Sequence, residues 1–331
     1  MNATPSSAPN TPTSAPPHAR SAWLSKSASQ TRGSDKKEVQ FHYDISNEFF
    51  KLWQDPNQVY SCAYFEKDDY NLEQAQLAKI DLSLGKLGLE PGMTLLDIGC
   101  GWGATINRAV EKYDVNVIGL TLSENQKQHI ENHWLANYKG DRTMEVRLQP
   151  WEDFSGKVDR IVSIGAFEHF GFNKYDDYFK NTYDWLPDDG VQMLHTIIIP
   201  EDEEIKAKGL PLTMSRVRFI KFIMDYIYPG GRLPLASMVK EHAVKAGYTV
   251  TQEQHLQPHY VKTLDTWANN LKAKKDEAIE IAGEEIYERF VKYLEGCADL
   301  FREGYTDVCQ FTLEKQPARH SWESRGRLVM R

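Results

Sequence analysis

From residue 94 to residue 199, short apolar runs alternate with helical patterns, and this rhythm restricts the chain to few folds. "TLLDIGC" (94–100), "NVIGLTL" (116–122), "MEVRLQP" (144–150), "VDRIVSIGAF" (158–167) and "GVQMLHTIII" (190–199) have the length and β-branched content of strands. Between them, "ATINRAVEKY" (104–113), "ENQKQHIENHWLANY" (124–138) and "YDDYFKNTYDWL" (175–186) carry helical spacing. Strands alternating with helices predict a parallel sheet covered by helices on both faces, the doubly wound α/β class.

The flanks read differently. "FHYDISNEFFKLWQD" (41–55), "YSCAYF" (60–65) and the helical "LEQAQLAKIDLSLGKLGL" (72–89) predict an aromatic, helical cover ahead of the first strand. After Pro200 the rhythm breaks. "SRVRFIKFIMDYIYPGG" (215–231) is a helical pattern apolar nearly all round, which predicts burial in protein or contact with a greasy ligand. "SMVKEHAVKAGY" (237–248) resumes the alternation, and a helix follows with Ile286, Phe290, Tyr293, Leu294, Cys297 and Phe301 on one face. "DVCQFTLEK" (307–315) closes the pattern as the last strand. Residues 200–236 therefore read as an insertion within one domain spanning 38–316, with tails at 1–37 and 317–331. The first 34 residues hold no acidic side chain and no apolar core of a secretory leader, which predicts a disordered tail.

A net charge of -8 argues against nucleic acid as the main partner. Contact with a membrane surface stays open, although Arg20, Lys26 and Arg32 in the tail are thin ground for it. No apolar run has the length of a bilayer span. Cys62, Cys100, Cys297 and Cys309 have neither paired nor metal-type spacing, so no metal is expected, and free thiols in a reducing cytoplasm are the default.

"LLDIGCGWGA" carries the first chemistry. A strand delivers Asp97, then Gly99, Gly101 and Gly103 form a turn into a helix, and such glycines let backbone amides approach a ligand. Dinucleotide sites use G-x-G-x-x-G. Here the spacing is G-x-G-x-G with Asp97 two residues earlier. That pattern resembles class I methyltransferases using S-adenosylmethionine (SAM), with their Rossmann-like sheet. Past the second strand, "GLTLSENQ" offers Thr121 and Gln126 as cofactor contacts. Ser123 and Gln126 also match an S-x-x-Q capping box, and both roles stand for Gln126. Trp151 and Glu152 follow the third strand, where a ring face and a carboxylate suit adenine; a core tryptophan is the other reading of Trp151.

Together with "YSCAYF", "RIVSIGAFEHFG", "FIKFIMDYIYPGGRLP" and "LQPHYVKTLDTWANNL", these segments resemble cyclopropane fatty acid synthases, above all their mycolic acid branch, over roughly residues 38–316. The resemblance implies transfer of the SAM methyl to a cis double bond of a long acyl chain, formation of a carbocation, and loss of a proton to a bound bicarbonate as the ring closes. It places the bicarbonate on Cys62, Glu168, His195 and Tyr260, with Ile164 supplying a backbone position. It places SAM on Tyr60, Ser61, Gly99, Cys100, Gly101, the run Thr121, Leu122, Ser123, Glu124, Asn125, Gln126, and on Trp151 and Glu152. Cys297, in "YLEGCA", is sometimes treated as a nucleophile in such enzymes; its place on an apolar helix face reads as packing.

The chemistry fits these residue types. An alkene is a weak nucleophile, so its site must exclude water and stabilise a developing cation. Aromatic faces do so without trapping it, and Tyr43, Phe167 and Phe170 are candidates. Taken singly, Cys62 reads also as a small buried hydrophobe, His195 as a hydrogen-bonded core histidine and Tyr260 as packing. Glu168, directly after "IGAF", is hardest to assign to packing. Strand alternation would turn the adjacent His169 to the other side, which assigns it a structural role. The substrate stays open between a phospholipid acyl chain and a carrier-bound chain. The product stays open between a ring and a methyl-branched, hydroxylated chain, with Gly165 fitting the ring-forming enzymes. A SAM methyltransferase for another small substrate, or a silent lipid- or SAM-binding protein, are the remaining readings. The expected location is the cytoplasm, with the inner membrane face as a further option.

Overall fold

Leu95, Leu96 and Ile98 are buried on both faces of β1 (Thr94–Ile98), the mark of a central parallel strand. In the computed structural model, which describes residues 32–34 and 46–315, β1 lies between β2 (Asn116–Thr121) and β4 (Arg160–Ile164), parallel to both. β3 (Met144–Leu148) extends the sheet beyond β2, and β5 (Val191–Ile198) extends it beyond β4. Residues 1–31, 35–45, with Tyr43 among them, and 316–331 lie outside the described residues.

Among the described residues, α1 (Asn47–Lys51) and α2 (Leu72–Gly85) precede the sheet. α3 (Ala104–Tyr113), α4 (Glu124–His129) and α5 (Tyr175–Trp185) connect its strands as the alternation predicts. α4 does not continue to residue 138 as one α-helix, because a π-helical turn takes over at Ile130–Leu135.

The order of strands is β3-β2-β1-β4-β5-β7-β6, and the sheet is mixed rather than wholly parallel. β6 (Thr249–His255) and β7 (Asp307–Glu314) account for the difference: β7 runs antiparallel to both β5 and β6. The cause is where the chain re-enters. α9 (Gln257–Ala273), α10 (Lys275–Ala282) and α11 (Glu284–Glu303) start at the carboxyl end of β6, and Asp307 begins β7 opposite Ile198, the last residue of β5. These helices join the N-terminal cover in one aromatic cluster, with Phe49, Phe50, Trp53, Trp267 and Phe290 wholly buried or nearly so.

The insertion before the last strands holds α6 (Asp202–Ala207) and α7 (Met214–Tyr226), followed by α8 (Ala236–Lys245). Of the two expectations for this segment, burial in protein does not hold for α7, since none of its residues is buried and Met214 and Tyr226 are exposed. It rests on the outside of α11. Phe219 lies over Gly296, where an added Cβ would come within 2.2 Å of its ring, and the Lys292 ammonium sits 4.0 Å from the centre of the Phe222 ring. Ile223 and Met224 of α7 line a cavity.

Candidate active site

The turn after β1 forms the floor of a cavity of about 510 Å³ at the carboxyl edge of the sheet. Gly99 has φ +83°, and a Cβ there would stand 2.4 Å from the Cβ of Ala166. Gly101 has φ +55° and open space where its Cβ would be, so the backbone is bare toward the cavity. Asp97 ends up buried, with Oδ2 lacking a hydrogen-bond partner among the described residues; burial pushes its carboxyl up to about 7 against the pull of Lys79.

Thr121 and Gln126 line the same cavity and bond to each other: the Thr121 hydroxyl donates to Gln126 Oε1 at 2.7 Å and accepts from Ser123 N at 3.1 Å. The capping box therefore forms only in half. Ser123 Oγ accepts from Gln126 N at 3.3 Å, while Thr121 takes the amide that Gln126 would have reached back to. Ser123 is thus a cap, and neither it nor Glu124 nor Asn125 reaches the cavity wall, whereas Tyr60, Ser61, Cys100 and Leu122 do. Trp151 and Glu152 close the far end from a 3₁₀ turn, Trp151–Asp153. Trp151 lines the cavity and is at the same time a buried residue of the core, packing on Tyr178 at 5.3 Å.

A second, narrower cavity of about 120 Å³ adjoins the first, and Tyr60, Ser61, Gly165 and His169 line both. Glu168, Cys62, His195 and Tyr260, the set that the resemblance implies, all line the second. Glu168 leaves the strand on a 3₁₀ turn, Phe167–His169. Its Oε1 accepts from Ile197 N at 2.7 Å, its Oε2 is buried with no hydrogen-bond partner among the described residues, and burial pushes the carboxyl up to about 7. His195 is neutral, its basicity lowered by burial and by Lys79 and Lys86. Gln310 assigns its tautomer. Lys86 Nζ donates to Gln310 Oε1 at 2.6 Å, which turns the amide nitrogen toward Ser83 Oγ at 3.0 Å and His195 Nδ1 at 3.2 Å. Nδ1 is therefore the acceptor and Nε2 carries the proton. Burial holds the Cys62 thiol well above its ordinary range, with Ala63 O at 3.2 Å, so it presents a thiol rather than a thiolate.

Several expectations need correction here. Ile164 lines the first cavity and not the second, whereas its neighbour Gly165, whose amide donates to His195 O at 2.9 Å, lines both. Cys297 is not confined to packing, because it lines the second cavity, but burial holds its thiol protonated, which argues against a nucleophile. His169 does not turn away, since a 3₁₀ turn has no strand alternation; its Nδ1 lies 3.1 Å from Ser34 Oγ, which donates to Pro229 O at 2.7 Å. Phe167 lines neither cavity, being stacked on Tyr175 at 4.2 Å, and Phe170 lines only the first. The aromatic wall of the second cavity is instead Tyr60, Tyr228, Tyr260, Tyr293 and Phe301. The tyrosines 60 and 228 bond through their hydroxyls to Tyr293, at 3.2 and 3.0 Å. Reading the sequence alone also passes over Lys79, Lys86 and Gln310, which look like ordinary polar positions of a helix and a strand.

A Rossmann-like sheet with a G-x-G-x-G turn at its first strand and a cavity at its carboxyl edge is the architecture of SAM-dependent methyltransferases, and its solved structural neighbours are of that class. Residues 30–311 match the family model described as mycolic acid cyclopropane synthetase, and the chain belongs to that family. It is 59% identical over 277 residues to cyclopropane mycolic acid synthase 1 of Mycobacterium tuberculosis (strain H37Ra), covering 84% of this chain and 96% of the relative. It is 56% identical over 282 residues to methoxy mycolic acid synthase MmaA3 of the same strain, covering 85% and 96%. The crystal structure of mycolic acid cyclopropane synthase CmaA1 complexed with SAH and CTAB superposes with a TM-score of 0.83 at 57% identity, covering 86% of this chain and 99% of that one. The chain is a SAM-dependent methyltransferase.

Proposed function

We propose that this enzyme adds one carbon from SAM across the cis double bond of a long, mycolic-type acyl chain and closes a cyclopropane ring. The observation that carries the reading is the meeting of the two cavities at Tyr60, Ser61, Gly165 and His169: one has polar recognition groups, the other is apolar with a polar cradle at one end. The first fits the cofactor, because the unpartnered Asp97 carboxylate and the bare Gly101 backbone suit a ligand carrying an ammonium and hydroxyls. When bound there, SAM supplies an electrophilic methyl group on a sulfonium.

The chain's own residues supply the rest. Ile223, Met224, Leu233, Leu264 and Leu300 give the second cavity walls that exclude water, and the tyrosine faces offer negative π density to a cationic carbon. The cradle fits bicarbonate in its donors and acceptors. His195 Nε2–H and the Tyr260 hydroxyl would hold its oxygens, the Glu168 carboxylate would accept its O–H, and it would supply a small base for the one proton lost on ring closure. Glu168 is placed to orient such a base rather than to meet the cation, with one oxygen anchored on Ile197 N.

A second product, with methyl and hydroxyl added across the same bond, is the alternative reading; the similarity to a methoxy mycolic acid synthase supports an oxygen-bearing product in the same family. The reading places the enzyme in the cytoplasm, at the inner membrane face when the substrate is a bilayer lipid; among the described residues no helix is long and apolar enough to cross a membrane. Purified protein, methyl-labelled SAM and cis-unsaturated mycolic-type chains or phospholipid vesicles test it by mass. Gain of one CH2 with loss of the alkene is the expected result. Gain of the elements of methanol would move the enzyme to the second product. Absence of transfer to every cis-unsaturated chain would overturn the reading.

A further inference from the structure

α2 carries a lysine where its buried face calls for an apolar residue. Ala75, Gln76, Lys79, Ile80 and Ser83 are the buried positions of this helix around it, and Lys79 is 1% exposed. Burial alone costs an ammonium heavily unless it is paired or used. Among the described residues its Nζ has one hydrogen-bond partner, Ser61 Oγ at 2.8 Å, and no carboxylate within ion-pair distance. Burial lowers its basicity to about 8, and Cys62, Asp55 and Asp97 act against that. Asp55 is already committed to the amides of Val59 at 2.9 Å and Asn57 at 3.0 Å.

Lys79 and Asp97 both line the first cavity. One has N–H donors left over, the other has an acceptor left over, and they do not close on each other. A ligand with a carboxylate and an ammonium on one carbon satisfies both. Ser61 completes the arrangement. Its Oγ accepts from Lys79, so its own O–H is available to a second acceptor, and Gln76 Nε2 holds the segment in place through Ser61 O at 2.8 Å and Val59 O at 3.3 Å.

We infer that Lys79, acting with Ser61, is the receptor for the carboxylate of the cofactor's amino-acid end, and that it sets the preference for S-adenosyl cofactors over analogues without that carboxylate. The inference rests on reading the first cavity as the cofactor site. It deepens that reading by assigning a specificity-determining residue that lies outside the glycine turn.

The test is binding, by calorimetry, of three probes to the full-length protein: S-adenosylhomocysteine, its analogue lacking the carboxyl group, and 5′-methylthioadenosine. Wild type is expected to prefer S-adenosylhomocysteine to the carboxyl-less analogue by about 30-fold or more, the low end for losing one partner of a buried charge pair. Lys79→Met keeps the apolar stem and removes the charge. It is expected to reduce that preference to a few-fold while leaving methylthioadenosine affinity within about twofold. Wild-type measurements alone keep the inference open to refutation if the variant does not fold, because absence of the preference in wild type overturns it. Equal weakening of all three probes by Lys79→Met would show a structural role and also overturn it. Failure of wild type to bind either S-adenosylhomocysteine or methylthioadenosine would instead remove the cofactor reading of the cavity, and the inference with it.

Discussion

Replacing Glu168 by Gln is expected to stabilise the protein at high pH and at the same time to remove its activity. In the unfolded chain the carboxyl releases its proton near 4.5, and in the folded protein near 7. Between those values the folded state holds more protons than the unfolded one. Stability attached to Glu168 is therefore fully present below pH 4.5 and is lost as pH rises through about 7. The displacement from 4.5 to about 7 is worth roughly 3 kcal/mol of linkage for this fully enclosed group. Glutamine keeps the acceptor for Ile197 N, at 2.7 Å in the wild type, and adds no charge at any pH.

The advantage of Glu168→Gln over wild type should thus grow between pH 4.5 and 7 and level off above, reaching at most about 3 kcal/mol. Urea unfolding across that pH range, in buffer freed of carbonate, measures it. The same protein should bind S-adenosylhomocysteine as wild type does while its kcat falls roughly 100-fold or more, the range for losing a group that serves proton transfer. Wild-type turnover would refute the placement of Glu168 in the cradle. A stability difference that does not change with pH would refute the assignment of its raised pKa.

Three further outcomes follow from particular contacts. Gln310→Leu removes the donor to His195 Nδ1, so kcat should drop about tenfold or more with cofactor affinity unchanged, and nitrogen NMR of His195 should show a changed tautomer population. Gly101→Ala adds a Cβ on a left-handed residue facing the cavity, at about 1–2 kcal/mol of backbone strain, and should weaken S-adenosylhomocysteine binding by about tenfold in calorimetry. Ile223→Trp fills the apolar cavity from the unburied helix α7, so lipid turnover should fall about tenfold or more while S-adenosylhomocysteine affinity stays within about twofold; unchanged turnover would remove that cavity as the acyl site.

Much of the cofactor site is legible locally. A buried strand, an aspartate and three glycines in a fixed spacing make a turn of one shape, because only that backbone permits positive φ at Gly99, Gly101 and Gly103. The second cavity is legible only through the resemblance, since its residues come from "YSCAYF", "AFEHFG", "QMLHT" and "QPHY", far apart in the chain. β6 carries little local signal: its polar residues sit on an edge strand, where neither face demands an apolar side chain. For the apolar α7 the pattern left core and ligand contact open, and the fold decides it by setting Ile223 and Met224 in a cavity wall and Phe219 over Gly296.

The chain's own order of residues determined the alternating sheet and the glycine turn, because each is specified within a few neighbouring positions, while Glu168, Cys62, His195 and Tyr260 are singled out as a set only by the family resemblance. The tertiary structure alone decided which protonation state and which neighbours those residues have. His195 is a neutral Nε2–H donor because Gln310, on a strand added more than a hundred residues later, takes its other nitrogen. His169 faces the site because the chain leaves β4 in a 3₁₀ turn, and Lys79 matters because packing buries it beside Ser61 with no carboxylate to neutralise it. Burial and hydrogen bonding are set by groups distant in sequence, so no local pattern announces them.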